Sequence, residues 1–215
     1  MNDESDREAR LTLELLNAIE ARSDVSQRHL ARNMGVALGL ANSYLKRCVR
    51  KGYVKIREAP ANRFLYYLTP KGFAEKSRLT ARYLSTSLSF YRQAAESCTR
   101  IFDACLKNGH ERVLLCGLSD LAEIAILRSA ESYVRVVGIY DRDSNRTHFF
   151  SRPVWKRIED ADEFDVCMLT DLRAPLESYR HLVKELEPDR ICVPETLGLG
   201  AVVKSHPGQP QTPDG

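Results

Sequence analysis

The sequence predicts an α+β unit of short helices and a two-stranded ribbon, then a long helix, then a small α/β unit with a mainly parallel sheet. Three observations carry that prediction. Helical apolar spacing with glycine stops, followed by strict alternation, fills residues 8–70. An uninterrupted heptad pattern without proline covers residues 71–109. Short apolar runs alternate with helical stretches over residues 110–200. Residues 201–215 are polar and rich in proline and glycine, the composition of a disordered tail.

The first helix is expected over about residues 8–21, with Leu11, Leu13, Leu15, Leu16 and Ile19 as its buried side. Ser26 then stands where an N-cap accepts from the first turn. Leu30, Ala31 and Met34 share one face of a short helix, and Gly35 ends it in the left-handed region. A second helix follows, with Leu38, Ala41, Leu45, Cys48 and Val49 inward and Gly52 as its stop. Its other residues, Asn42, Ser43, Lys46, Arg47 and Arg50, are read as an outward face of amide, hydroxyl and cationic groups. Such groups reach base edges and phosphates. Residues 53–57 alternate as a strand, residues 59–63 turn, and residues 64–68 return. Arg57, Asn62 and Arg63 fall at the tip of that ribbon, placed for a minor groove or flanking phosphates. Helix, turn, helix and ribbon together spell a winged helix-turn-helix.

From Lys71 to Asn108 there is no proline, and the only glycine is Gly72. Ala74, Ser77, Ala81, Leu84, Leu88, Tyr91, Ala95, Cys98, Phe102 and Cys105 alternate at spacings of three and four. That is a heptad seam of apolar or small residues. A continuous helix would run roughly 55 Å at about 1.5 Å per residue. A helix of that length is expected to pair with its copy in a homodimer through residues 74–105. A break near residues 85–87, with both pieces packing inside one chain, is the other reading.

In the second half, residues 112–116, 133–140, 165–170 and 190–193 read as buried strands, with helices from the turn at Gly117 to about Ala130 and over residues 175–186. Gly117, Ser119 and Ala122 occupy the places of a three-glycine phosphate turn, and Asp141 follows 24 residues after Gly117. This order is similar to a degenerate Rossmann unit. Ser119 stands where a second glycine would let backbone approach a pyrophosphate, and Asp120 repels a phosphate at the helix start. Gly117, Ser119, Asp120, Ala122, Asp141 and Thr170 form the candidate ligand set. Residues 141–146, Asp171 and residues 194–196 lie at the same ends of the strands. A nucleotide, a sugar nucleotide, a smaller phosphorylated or carboxylated metabolite, or no ligand at all is open there, with no cofactor fixed.

Charge separates the halves. Residues 1–109 hold 19 Lys and Arg against 11 Asp and Glu, and residues 110–215 hold 13 against 18, so an overall +3 conceals a basic front and an acidic back. A basic module that meets double-stranded DNA, joined to a module with another task, fits that asymmetry. No apolar run nears the length of a membrane span, and the acidic N-terminus is unlike a signal peptide, so a cytoplasmic location is expected. The six cysteines have no framework spacing, and the five histidines have no metal-ligand spacing. Cys98 and Cys105 fall on the heptad seam, where a dimer would bring each to its copy. No paired acid, base or nucleophile is identifiable, so no enzymatic activity is expected.

Residues 8–85, closing on Leu68-Thr69-Pro70-Lys71-Gly72, resemble bacterial MarR-like regulators, most nearly the group associated with exopolysaccharide gene clusters. Residues 111–195 resemble the Rossmann-like domains of Rex repressors and the N-terminal domains of sugar O-acyltransferases, the latter sharing a segment like Arg152-Pro153-Val154. These resemblances imply a dimeric transcriptional regulator whose second domain senses a metabolite. A Rex-like NADH sensor is the alternative, and a Rossmann enzyme or adaptor with a fused winged helix is a further one.

Overall fold

The computed structural model describes residues 3–60 and 63–203. The chain divides between Leu88 and Ser89 into two compact units.

In the first unit, α1 (Asp3–Ala21) starts five residues before the expected position. It buries Leu11, Leu13, Leu15, Leu16 and Ile19. The next helix, α2 (Gln27–Asn33), begins where the Ser26 hydroxyl accepts from the His29 N–H. Gly35, at φ +60°, turns the chain into α3 (Leu38–Arg50). The ribbon is β1 (Val54–Ala59) against β2 (Arg63–Leu68), antiparallel, with Val54 opposite Leu68 and Ala59 opposite Arg63. Leu30, Met34, Ala41, Leu45, Cys48, Val54 and Tyr66 close one core against α1.

The stretch from Thr69 to Gly72 has a mechanical explanation. The Thr69 hydroxyl donates to the Gly52 carbonyl at 2.6 Å and accepts from the Gly72 N–H at 3.0 Å. It thus ties the end of the ribbon to the end of α3 and caps α4 (Pro70–Lys107). Pro70 opens that helix, where a missing N–H costs nothing. A Cβ on Gly72 would stand 2.0 Å from the Tyr53 carbonyl oxygen, so only glycine fits.

α4 is a single helix with no break at residues 85–87. Its heptad seam, however, divides in two. Ala74, Ser77, Ala81, Leu84, Leu88 and Tyr91 are exposed. Cys98, Phe102 and Cys105 are buried against Val113, Leu115, Val166 and Met168 of their own chain. The expected intersubunit seam over residues 74–105 is therefore corrected: its last three members are occupied by the sheet, whose apolar face needs a covering helix. The same packing removes Cys98 and Cys105 from any seam between copies.

The second unit is a six-stranded sheet. Its strands are β3 (Arg112–Cys116), β4 (Arg135–Tyr140), β5 (His148–Phe149), β6 (Arg152–Trp155), β7 (Val166–Leu169) and β8 (Ile191–Cys192), in the order β5-β6-β4-β3-β7-β8. All neighbours run parallel except β5 with β6. The last part of α4 and α5 (Asp120–Ser129) cover one face. On the other face lies α6 (Pro175–Glu185), with Tyr179 and Leu182 buried. The four strands read from the apolar runs are present, β3 with the expected bounds and β4, β7 and β8 shorter. β5 and β6 have no counterpart among the expected strands. Arg152–Trp155 is four half-buried residues that include a proline. Its place is made by Gly138, where a Cβ would stand 2.1 Å from the Trp155 ring. Residues 200–203 form a last short helix, α7 (Gly200–Val203), so the expected tail starting at 201 is helical for its first three residues. Residues 204–215 lie outside the described ones.

Candidate functional site

Two groups of residues carry chemistry, one in each unit. In the first, α3 presents Gly39, Ser43, Lys46 and Arg50 to solvent, while Ala41, Leu45 and Cys48 point into the core. Lys46 and Arg50 lie four residues apart on that face, the spacing of helical neighbours. The Ser43 hydroxyl donates back to the Gly39 carbonyl at 3.0 Å. Asn42 sits at the flank, half-buried, and its carboxamide oxygen is covered without a hydrogen-bond partner.

Arg47 departs from the expected outward set. Its guanidinium donates to the Glu8 carboxylate of α1 at 2.8 Å and lies 4.5 Å over the Tyr44 ring. The helix turns 100° per residue, so Arg47 falls on the α1 side of the exposed face and not on its centre. In this structure it is turned toward α1 and away from the expected outward set. On the ribbon, Lys55 and Arg57 are exposed. Asn62 lies outside the described residues, as does the side chain of Arg63, whose backbone opens β2.

Arg28 and Arg32, both exposed on α2, lie outside the set expected from the sequence. In a helix-turn-helix the first helix crosses the phosphate backbone, and cations there meet it. The signal was present in the charge count, since residues 22–63 carry ten Lys and Arg against only Asp24 and Glu58.

The second group stands at the carboxyl ends of β3, β4 and β7, at the point where strand order reverses. Gly117, Ser119, Asp141 and Thr170 do come together there, but they bond to one another. Gly117 takes φ +102°, and a Cβ on it would lie 2.5 Å from the Asp171 Cβ. The Ser119 hydroxyl donates to the Thr170 carbonyl at 2.5 Å and accepts from the N–H groups of Leu121 and Ala122, which makes it the cap of α5. The Thr170 hydroxyl donates to the Gly117 carbonyl at 2.7 Å. Ala122 is wholly buried against the sheet, and Asp120 is exposed in the first turn of α5.

Asp141 is only 5% exposed. Its Oδ2 accepts from the Leu118 N–H at 2.9 Å and from Arg173 at 3.1 Å, and its Oδ1 accepts from the N–H groups of Asp143 and Ser144. Two oxygens offer about four lone-pair sites, and these are filled. Arg173 and Ser178 were not singled out from the sequence. Ser178 donates to Asp171 Oδ2 at 2.6 Å, and Arg173 stands 3.8 Å from Asp171 Oδ1. Nearby, the Tyr140 hydroxyl and His181 Nε2 are 2.8 Å apart. Burial pushes Tyr140 up to about 12, while burial and then the Arg142 charge lower His181, which favours its neutral ring. The space left among these groups is about 30 Å³. Among the described residues no cluster of three or more His, Cys, Asp or Glu could hold a metal ion, and no helix is long and apolar enough to cross a membrane.

Residues 9–55 match the winged helix-turn-helix DNA-binding family. That match spans the last two thirds of α1, then α2, α3 and the start of β1, and leaves the second unit untouched. No curated protein sequence matches the chain. Among solved structures, the chain is similar to the PcaV transcriptional regulator of Streptomyces coelicolor in complex with its natural ligand, at 24% identity over 46% of this chain and 72% of that one, with a TM-score of 0.36. It is similar to MepR, a regulator of the Staphylococcus aureus efflux pump MepA, at 15% identity over 47% and 74%, also with a TM-score of 0.36. A third similarity is to human N-acetylserotonin methyltransferase in complex with SAM, at 11% identity over 88% and 74%, with a TM-score of 0.32. Likenesses this loose assign no function to the chain. The expectation that the chain is not an enzyme is withdrawn, because the third of these structures is an enzyme.

Proposed function

We propose that the chain is a sequence-specific, DNA-binding transcriptional regulator acting as a homodimer. One observation carries the reading: ten of the 42 residues from 22 to 63 are cationic against two acids, and among the exposed ones Arg28 and Arg32 lie on α2, Lys46 and Arg50 on the outward face of α3, and Lys55 and Arg57 on the ribbon. In this reading α3 enters a major groove, with Ser43 and Lys46 toward base edges and Arg50 toward phosphate. Arg28, Arg32, Lys55 and Arg57 hold the flanking backbone. Dimerisation uses the exposed stretch of α4 from Ala74 to Tyr91. Tyr83, Leu84, Leu88 and Tyr91 there are 42–56% exposed, a row of large apolar side chains on one helix. Two copies would address two half-sites about one helical turn apart.

The α/β unit is the effector-bearing half of this proposal, with a nucleotide or sugar nucleotide as the class. A ribose hydroxyl that takes Asp141 as its acceptor must displace Arg173, the exposed member of that cluster.

Selection of bound duplexes from a random pool tests the proposal, with sedimentation of the protein–DNA complex. An enriched inverted repeat carrying two protein copies supports it. No enrichment, or one copy per duplex, counts against it. A panel of NADH, UDP-glucose and S-adenosylmethionine, followed for binding and for turnover, tests the effector half. Release of the duplex by one of them supports sensing, and turnover without release makes the second unit an enzyme.

A further inference from the structure

We propose that Cys105 and Cys192 form an oxidisable thiol pair, a modification site for a hydroperoxide in the open cavity beside α4 and β8. This goes beyond the regulator reading and does not rest on it.

The pair is made by the fold. Cys105 sits in the last turns of α4 and Cys192 at the end of the edge strand β8, 87 positions later in the sequence, and the two thiols hydrogen-bond to one another. Both line a cavity of about 520 Å³, together with Ile101, Ile191, Arg100 and His110. Cys105 is nearly covered by the core, and Cys192 is half-buried. Hydrogen peroxide is no larger than a few atoms and reaches them through that opening. The bond from Cys192 holds Cys105 below the usual thiol range against the effect of burial, whereas its partner is pushed well up by the same bond and by burial. Of the two, Cys105 gives up its proton the more readily, and the thiolate is the nucleophile.

The other thiols lack this combination. Burial pushes Cys48 up to about 11 and Cys98 up to about 12, and neither has a thiol partner. Cys167 does bond to Cys116, but that bond and complete burial push it well above the usual range, and its side chain has no exposed surface.

The chemistry balances with one peroxide per pair. The Cys105 thiolate attacks one peroxide oxygen, the O–O bond breaks, and the departing hydroxide takes a proton to leave as water. Cys105 is then a sulfenic acid. The Cys192 sulfur attacks the Cys105 sulfur, the S–O bond breaks, and the oxygen leaves as a second water with the Cys192 proton. Two thiols have become one disulfide, and one peroxide has become two waters. The product ties the end of α4 to β8 across the cavity.

Reduced full-length protein is treated with hydrogen peroxide, denatured, alkylated with N-ethylmaleimide and weighed, and then mapped by peptide mass. The expected result is that two of the six cysteines escape alkylation, that dithiothreitol restores them, and that the linked peptides contain Cys105 and Cys192. In Cys192→Ser, Cys105 should stop at the sulfenic acid and be captured by dimedone. In Cys105→Ser, Cys192 should remain alkylatable. All six thiols still alkylated, or a linkage between Cys116 and Cys167, overturns the proposal. The wild-type mapping decides the matter even if a variant fails to fold.

Discussion

Asp141→Ala separates two roles for the acid at the end of β4. If the carboxylate is an internal anchor, its removal leaves the N–H groups of Leu118, Asp143 and Ser144 without an acceptor. Bonds from neutral donors to a charged acceptor contribute roughly 1.5–3 kcal/mol each where water cannot replace them. Asp143 is exposed and Ser144 half-buried, so those two N–H groups rehydrate in part, while Leu118 does so less. Arg173 is 62% exposed at its side chain, so its ion pair adds under about 1 kcal/mol. The expected loss for Asp141→Ala is about 3–4 kcal/mol, and for Asp141→Asn, which keeps one acceptor oxygen, about half that. Urea unfolding followed by tryptophan fluorescence measures it directly. Trp155 is the only tryptophan, and its carbonyl accepts the Asp141 N–H at 2.9 Å, so the signal reports this unit. A loss below about 1 kcal/mol in the alanine variant would refute the anchor role and leave Asp141 free to serve a ligand.

Gly72→Ala should destabilise the first unit by about 1–3 kcal/mol, the usual cost of an added methyl with no room, read as a lower thermal midpoint. A midpoint unchanged from wild type would show that the Tyr53 carbonyl moves aside at no cost. Burial opposes the charge on Asp165, but the Arg112 side chain and the N–H groups of Arg112 and Glu111 outweigh it and hold this carboxyl below its usual value. A depressed folded value stabilises the fold above the unfolded value of about 3.9 and is lost as pH falls through the lower folded one. Trp155-detected stability should thus fall in that acid window, and Asp165→Asn should flatten the fall. An equally steep fall in the variant would assign it to other carboxyls.

Local patterns were legible in the sequence because each has a local cause. Ser26, Gly35 and Gly52 fix helix ends through one hydroxyl or one positive φ, and the alternation over residues 53–57 marks the ribbon. The heptad in α4 was equally legible, but not what covers it. Periodicity reports that a face is apolar and is silent on whether a sheet or a second helix meets it, so Phe102 and Cys105 read the same as Leu84 and Leu88. The strand β6 escaped notice because its support, the bare Gly138 beneath Trp155, is a contact between strands. For the candidate sites the pattern was similar. Lys46 and Arg50 face outward by helix geometry alone, whereas Arg47 is turned aside by Glu8, 39 positions earlier. Ser119 and Thr170 could be placed at the rim from sequence, but not the bonds by which they close it on each other.

The decisive measurement is an anisotropy titration of the selected duplex across salt concentrations, with wild type and the double variant Lys46→Ala/Arg50→Ala. The account predicts that log affinity falls linearly with log salt, and that the variant's slope is shallower by about two, one for the phosphate-directed Arg50 of each of the two copies. A wild-type affinity independent of salt, or an identical slope in the variant, would contradict the assignment of the α3 outward face to DNA.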